Sequence, residues 1–104
     1  DDSLPVEGAG LVGKDAPGDF VRETCQSLGI GTQHLIQTDD LPTSFTDVMT
    51  EKKSGRRTFF HLSGANAGLG ENHLDPAAFQ AKIFFLAYLG LLETLDRLDS
   101  TGRN

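Results

Sequence analysis

Two hydrophobic periodicities alternate along the chain. Leu4, Val6, Ala9, Leu11 and Val12 suit a short buried strand that Gly13 ends. Beyond it, Phe20, Val21, Thr24, Cys25 and Leu28 recur at the three- and four-residue spacing of one helical face. Asp15 stands where a side chain can cap that helix, and Pro17 falls in the first turn, where its missing N–H would be unpaired anyway. The spacing predicts a helix over residues 16–28, stopped by Gly29, with Ile30 folding back over the last turn.

Strand character then takes over. Residues 34–37, 43–51 and 56–62 read as strands, the last two joined by Lys52-Lys53-Ser54-Gly55, whose glycine accepts the positive φ of a hairpin turn. Alternation places Ser44, Thr46, Val48 and Thr50 on one face and Phe45, Asp47 and Met49 on the other. Neither face is strongly apolar, which suits a sheet that covers something better than one buried on both sides.

The last third is less regular. Residues 64–80 read as loop, with Asp75-Pro76 opening a short helical turn. Periodicity then admits one helix over residues 76–98, while the unbroken run Ile83, Phe84, Phe85, Leu86 admits a fully buried strand. The expectation adopted is a strand at 83–86 and, beyond Gly90, a helix over 91–98. The order strand, helix, hairpin, strand, helix gives an α/β domain with a small β insertion. Residues 1–33 would belong to the core, 34–66 to the insertion and 67–104 to the return into the core.

Composition narrows the function classes. The 104 residues allow one domain, and 38% apolar content with seven Phe is enough to build a core. The net charge is -6, and the basic residues cluster only at Lys52, Lys53, Arg56 and Arg57, which read as a solvated hairpin tip. A nucleic-acid partner is therefore not expected, because a phosphate backbone needs a basic stripe. Cys25 is the single cysteine, so neither an internal disulfide nor a cysteine metal site can form; it reads as buried filler, and a reducing cytoplasm fits. The longest apolar run, residues 83–92, is about half of the roughly 20 residues needed to cross a bilayer, so no membrane partner is expected. The acidic start lacks the features of a secretion signal, and the missing initiator Met hints at an excised chain.

Most candidate chemistry falls away on inspection. Gly13-Lys14 is followed by Asp15, not by Ser or Thr, so the glycine-rich start is not a phosphate-binding loop, and a carboxylate there would repel phosphate. His34, His61 and His73 are too dispersed for a helical or hairpin metal spacing. Asp39 and Asp40 read as turn residues, and Glu93, Asp96 and Asp99 as a solvated face.

Three segments in order, "GLVGKDAPGDFVRETCQSLGI", "PTSFTDVMTEKKSGRRTFF" and "GANAGL", resemble the ribokinase-like carbohydrate kinases, the PfkB family. The resemblance runs from about Leu11 to Leu95. It implies a partial ribokinase-like α/β fold with a small β-sheet lid, residues 34–66, and an ATP-dependent kinase acting on a sugar hydroxyl. Thr46 and Val48 match positions on the first lid strand that face substrate, and His61 matches one on the returning strand. Thr46 and His61 would hydrogen-bond hydroxyls, Val48 would pack against the sugar's carbon face, and Asn66 would point into the sugar pocket. The plain alternatives are that the first three pair across strands and that Asn66 secures its own loop. ATP and magnesium are implied for the parent enzyme, with none bound by this chain, and such lids sometimes pair across a dimer.

Departures from the family pattern are large. The Gly-Gly pair and Asn that grip the sugar, the glycine-rich anion hole and the catalytic aspartate are absent from these residues, and Ala87 and Leu89 stand where relatives often carry a glycine or an acid. The chain is thus expected to be the lid-bearing fragment of a sugar kinase, inactive alone. The alternative is a stand-alone binding or interaction module without chemistry.

Overall fold

The computed structural model describes residues 4–74, 80–87, 90–98 and 100–102. Strand β1 (Glu7–Gly13) is followed by helix α1 (Ala16–Ser27), which returns the chain to strand β2 (Gly31–Thr38), parallel to β1. Leu11 is opposite Ile36 and Gly13 opposite Thr38, with a register shift between Glu7 and Ala9.

The ends of α1 follow from local chemistry. Asp15 lies in extended backbone and accepts a hydrogen bond from the Gly18 N–H through Oδ1 (2.9 Å). At the other end Gly29 takes φ 73°, the Ile30 N–H reaches the Cys25 carbonyl at 2.9 Å and the Gly29 N–H the Gln26 carbonyl at 3.0 Å. These two bonds satisfy carbonyls that the helix leaves open. Arg22 donates to the Leu35 carbonyl and to Gln37 Oε1, and Gln37 Nε2 donates to Asp19, so polar contacts tie α1 to β2. Of the expected apolar face, Val21, Thr24 and Cys25 are half-buried while Phe20 and Leu28 are exposed. Two strands are too narrow to cover it, and Cys25 is accordingly only partly buried.

A second, separate sheet is the hairpin of β3 (Phe45–Thr50) and β4 (Arg57–Leu62), antiparallel. Because β2 pairs with β1, residues 34–38 lie in the parallel sheet and not in the insertion. The hairpin begins at Phe45, two residues later than expected, because the Thr43 N–H and hydroxyl are bonded to Asp15 and take no part in a ladder.

The segment expected as loop contains a short helix, α2 (Gly64–Gly68), and a 3₁₀ turn at Glu71–His73. Ala65 of α2 is fully buried and packs with Leu11, Leu69 and Leu92, against which Leu41, Leu74 and Leu95 also rest. This small core joins β1, α2 and the C-terminal segment.

Two expectations for the C-terminal third are corrected. Residues 83–86 form no strand, and Ile83 and Phe85 are 86% and 85% exposed. A strand needs a neighbouring ladder, and among the described residues none lies beside this run. Residues 91–98 form turns instead of a helix. The Thr94 N–H, which a continuing helix would direct to Gly90, donates to the Ala67 carbonyl at 3.2 Å, and the Thr94 hydroxyl does so at 2.6 Å. A single bond from the Asp96 N–H to the Leu92 carbonyl (2.8 Å) remains, with the Asp96 carboxylate accepting from the Leu92 N–H. The turn expected at Asp75-Pro76, and the positions Leu89 and Asp99, lie outside the described residues.

Candidate functional site

The hairpin has two unlike faces. Cross-strand partners share a face in an antiparallel pair, so Thr46 with His61, Val48 with Phe59 and Thr50 with Arg57 form one, and Phe45 with Leu62, Asp47 with Phe60 and Met49 with Thr58 the other. The tip closes through Gly55 at φ 71° and through a 2.8 Å bond from the Glu51 N–H to the Arg56 carbonyl. Lys52, Lys53 and Arg56 are exposed there, whereas Arg57 starts β4 and holds its guanidinium 5.7 Å from the Phe59 ring centroid.

On the first face Thr46 Oγ1 and His61 Nδ1 are 2.7 Å apart, hydrogen-bonded across the strands, and both residues are exposed. The structure therefore brings together three of the four residues singled out from sequence. The second face looked weakly apolar when read from β3 alone. With β4 in register it carries Phe45, Met49, Phe60 and Leu62, all exposed, around Asp47 and Thr58. An open hollow of about 440 Å³ is lined by Phe45, Asp47, Phe59, Phe60, His61 and Leu62.

Asn66 sits apart from the hairpin, in α2 at its base. Its backbone N–H donates to Ser44 Oγ at 2.8 Å, while its side-chain amide makes no hydrogen bond among the described residues. Asn66 as a whole is half-buried.

The base of the hairpin was not visible in the sequence. Thr43 is only 6% exposed and is held on three sides. Its N–H donates to Asp15 Oδ2 (2.8 Å), its hydroxyl donates to Asp15 Oδ1 (2.5 Å), and that hydroxyl accepts from the Gly13 N–H (2.9 Å). Ser44 Oγ in turn donates to the Ser63 carbonyl, and the Ala65 N–H donates to the Pro42 carbonyl at 2.8 Å. Both chain crossings, residues 41–44 and 63–66, are thus tied to each other and to the end of β1. Glycines permit the approach: a Cβ on Gly18 would stand 2.1 Å from the Gly13 carbonyl oxygen, and one on Gly64, at φ 46°, 2.5 Å from the Pro42 carbonyl. The only sequence signal was the Asp15 cap, and its second partner lies 28 residues away.

Hydrogen bonds from the Thr43 hydroxyl and then from the Thr43 N–H hold the Asp15 carboxyl below the ordinary 3.8. The carboxylate also fills the helix N-terminus at which a phosphate would dock. Lys14 is turned away, its N–H on the Thr38 carbonyl and its ammonium paired with Asp39. These residues do not fit ATP. Among the described residues no group of His, Cys, Asp and Glu is arranged to hold a metal ion, and no helix is long and apolar enough to cross a membrane.

The pfkB carbohydrate kinase family matches residues 4–100. No curated protein matches the chain. Among solved structures, ribokinase from Giardia lamblia is 28% identical with a TM-score of 0.59, over 64% of this chain and 19% of its own. Ribokinase from Cryptococcus neoformans var. grubii serotype A in complex with ADP is 30% identical with a TM-score of 0.52, over 59% and 18%. Fructokinase from Xylella fastidiosa, at 24% identity, shares the fold with a TM-score of 0.64, over 74% and 24%. The chain thus spans only 18% to 24% of the length of these structures. With its βαβ unit, hairpin and Gly-Ala-Asn return matched together, the chain belongs to the pfkB family of carbohydrate kinases and carries part of the ribokinase-like fold.

Proposed function

We propose that the chain is the lid-bearing part of a longer cytoplasmic kinase that transfers the γ-phosphoryl group of ATP to a hydroxyl of a sugar or sugar-like molecule. The observation that carries this reading is the exposed mixed face of the hairpin, with Thr46 and His61 bonded across it, in a chain of this family. Thr46 and His61 hydrogen-bond sugar hydroxyls, trading their mutual bond for bonds to the ligand. Val48 packs against the carbon face of the ring, and Asn66 reaches the pocket from its floor. Closing the hairpin over the sugar excludes water, so that the phosphoryl group passes to the sugar and not to solvent. ATP and magnesium are held by other parts of the parent, since the Gly13-Lys14-Asp15 turn does not fit a phosphate. In this reading the lid is the hairpin that begins at Phe45, not at residue 34, and the segments on either side of it belong to the core. The opposite face, with Phe45, Met49, Phe60 and Leu62 exposed, is covered by a second lid in a homodimer.

The test is the intact mass of the protein expressed from its natural gene, followed by a sugar-phosphorylation assay with ATP on that product and on the 104-residue chain. A natural product of roughly 300 residues that phosphorylates a sugar, beside an inactive short chain, is the expected result. A natural product of 104 residues would overturn it and leave a binding module.

A further inference from the structure

Every residue of β3 and β4 is exposed, so among the described residues the hairpin is oriented by its two chain crossings and not by packing. Those crossings are bonded in two stages. In the first, Thr43 is locked to the end of β1 by its bonds to Asp15 and Gly13. In the second, Ser44 Oγ links the outgoing crossing to the returning one through the Ser63 carbonyl and the Asn66 N–H. A body attached only at such a base swings about the first residues beyond it, the paired Phe45 and Leu62.

We propose that Thr43 and Ser44, with Asp15 beneath them, are positioning residues for sugar binding: they fix the pivot of the hairpin so that Thr46 and His61 close onto a sugar already met by Asn66. This rests on the kinase reading above. Ser44 has a particular place in it, because its hydroxyl accepts from the backbone of Asn66 and so sets the depth of that side chain relative to the hairpin. Neither Thr43 nor Ser44 touches the sugar. They act through the angle at which the hairpin leaves the α/β unit, and small errors in such an angle are amplified at its strands, where a displacement of about 1 Å can cost a reaction about a hundredfold.

The experiment uses the protein expressed from its natural gene, with steady-state kinetics varied in sugar and in ATP. Thr43→Val, which keeps the shape and the N–H but removes the hydroxyl, is expected to raise the sugar KM about tenfold while the ATP KM stays within about twofold, and Thr43→Ser to restore it. A purely structural role would lower the active fraction and hence kcat, with both KM values unchanged; that result, or a wild-type sugar KM in Thr43→Val, overturns the proposal. If Thr43→Val does not fold, Ser44→Ala carries the same readout from a half-buried position. A wild-type product without sugar phosphorylation overturns the kinase reading instead. In that case amide exchange decides the clamp by itself: Ser44→Ala is expected to speed exchange at Asn66 at least about tenfold, and an unchanged rate there overturns it.

Discussion

The α/β base and the hairpin solve opposite problems with the same short chain. At the base Leu11, Thr43 and Ala65 are buried, three backbone segments approach so closely that glycines are required, and Asp15 shares its oxygens among Thr43 and Gly18. In the hairpin no residue is buried, glycine appears only at the turn, and the polar bond between Thr46 and His61 faces water. Close packing makes the base a fixed reference, because a close-packed region does not deform gradually. Exposure leaves the hairpin free to exchange solvent for a ligand or a partner.

The sharpest way to break this contrast is to add one methyl group on each side of it. Gly18→Ala places a Cβ against the Gly13 carbonyl, and the expected loss exceeds about 4 kcal/mol or prevents folding. Gly55→Ala at the hairpin tip meets open space and carries only the strain of positive φ, about 1 to 2 kcal/mol. Urea midpoints of the two variants read the difference. Equal losses would mean that the tip is as constrained as the base.

A smaller effect of the same kind separates apolar residues. Leu11→Ala removes a core contact and should cost about 2 to 5 kcal/mol. Phe60→Ala deletes a larger side chain that is 61% exposed and, in the monomer, should stay within about 0.5 kcal/mol. A large loss in Phe60→Ala that disappears on dilution would show the second face covered by another molecule, which also tests the proposed dimer.

The smallest expected effect concerns acid. Because the folded-state Asp15 value is depressed, its contribution is complete above the ordinary 3.8 and is lost as pH falls through the folded value. Comparing urea midpoints at pH 5 and pH 3 should therefore show a drop that Asp15→Asn reduces. An identical drop in the variant would place the acid sensitivity elsewhere.

How much of this was legible follows from the range of each interaction. The ends of α1 were readable because Asp15, Pro17 and Gly29 act within four residues of the bonds they govern. The hairpin was readable because one glycine turn joins two runs of strand character, whereas the register that pairs Thr46 with His61 came from the structure. The Gly-Ala-Asn helix was missed because what holds it is the burial of Ala65 against Leu11 and the approach of Gly64 to Pro42, both distant in sequence. The strand expected at 83–86 failed for the converse reason: an apolar run needs a neighbour to become a strand, and the described residues provide none.

By itself, then, the sequence determined the family, the capped helix α1, the hairpin turn at Gly55 and the face that Thr46 shares with Val48, since propensity, turn chemistry and alternation act over a few residues. The tertiary structure alone decided that β2 belongs with β1, that 91–98 is not helical because Thr94 bonds to Ala67, and that Asp15 caps a helix and anchors Thr43 at once. A carboxylate has two oxygens and several lone pairs, and which distant donor claims the second oxygen is settled only when the chain has folded.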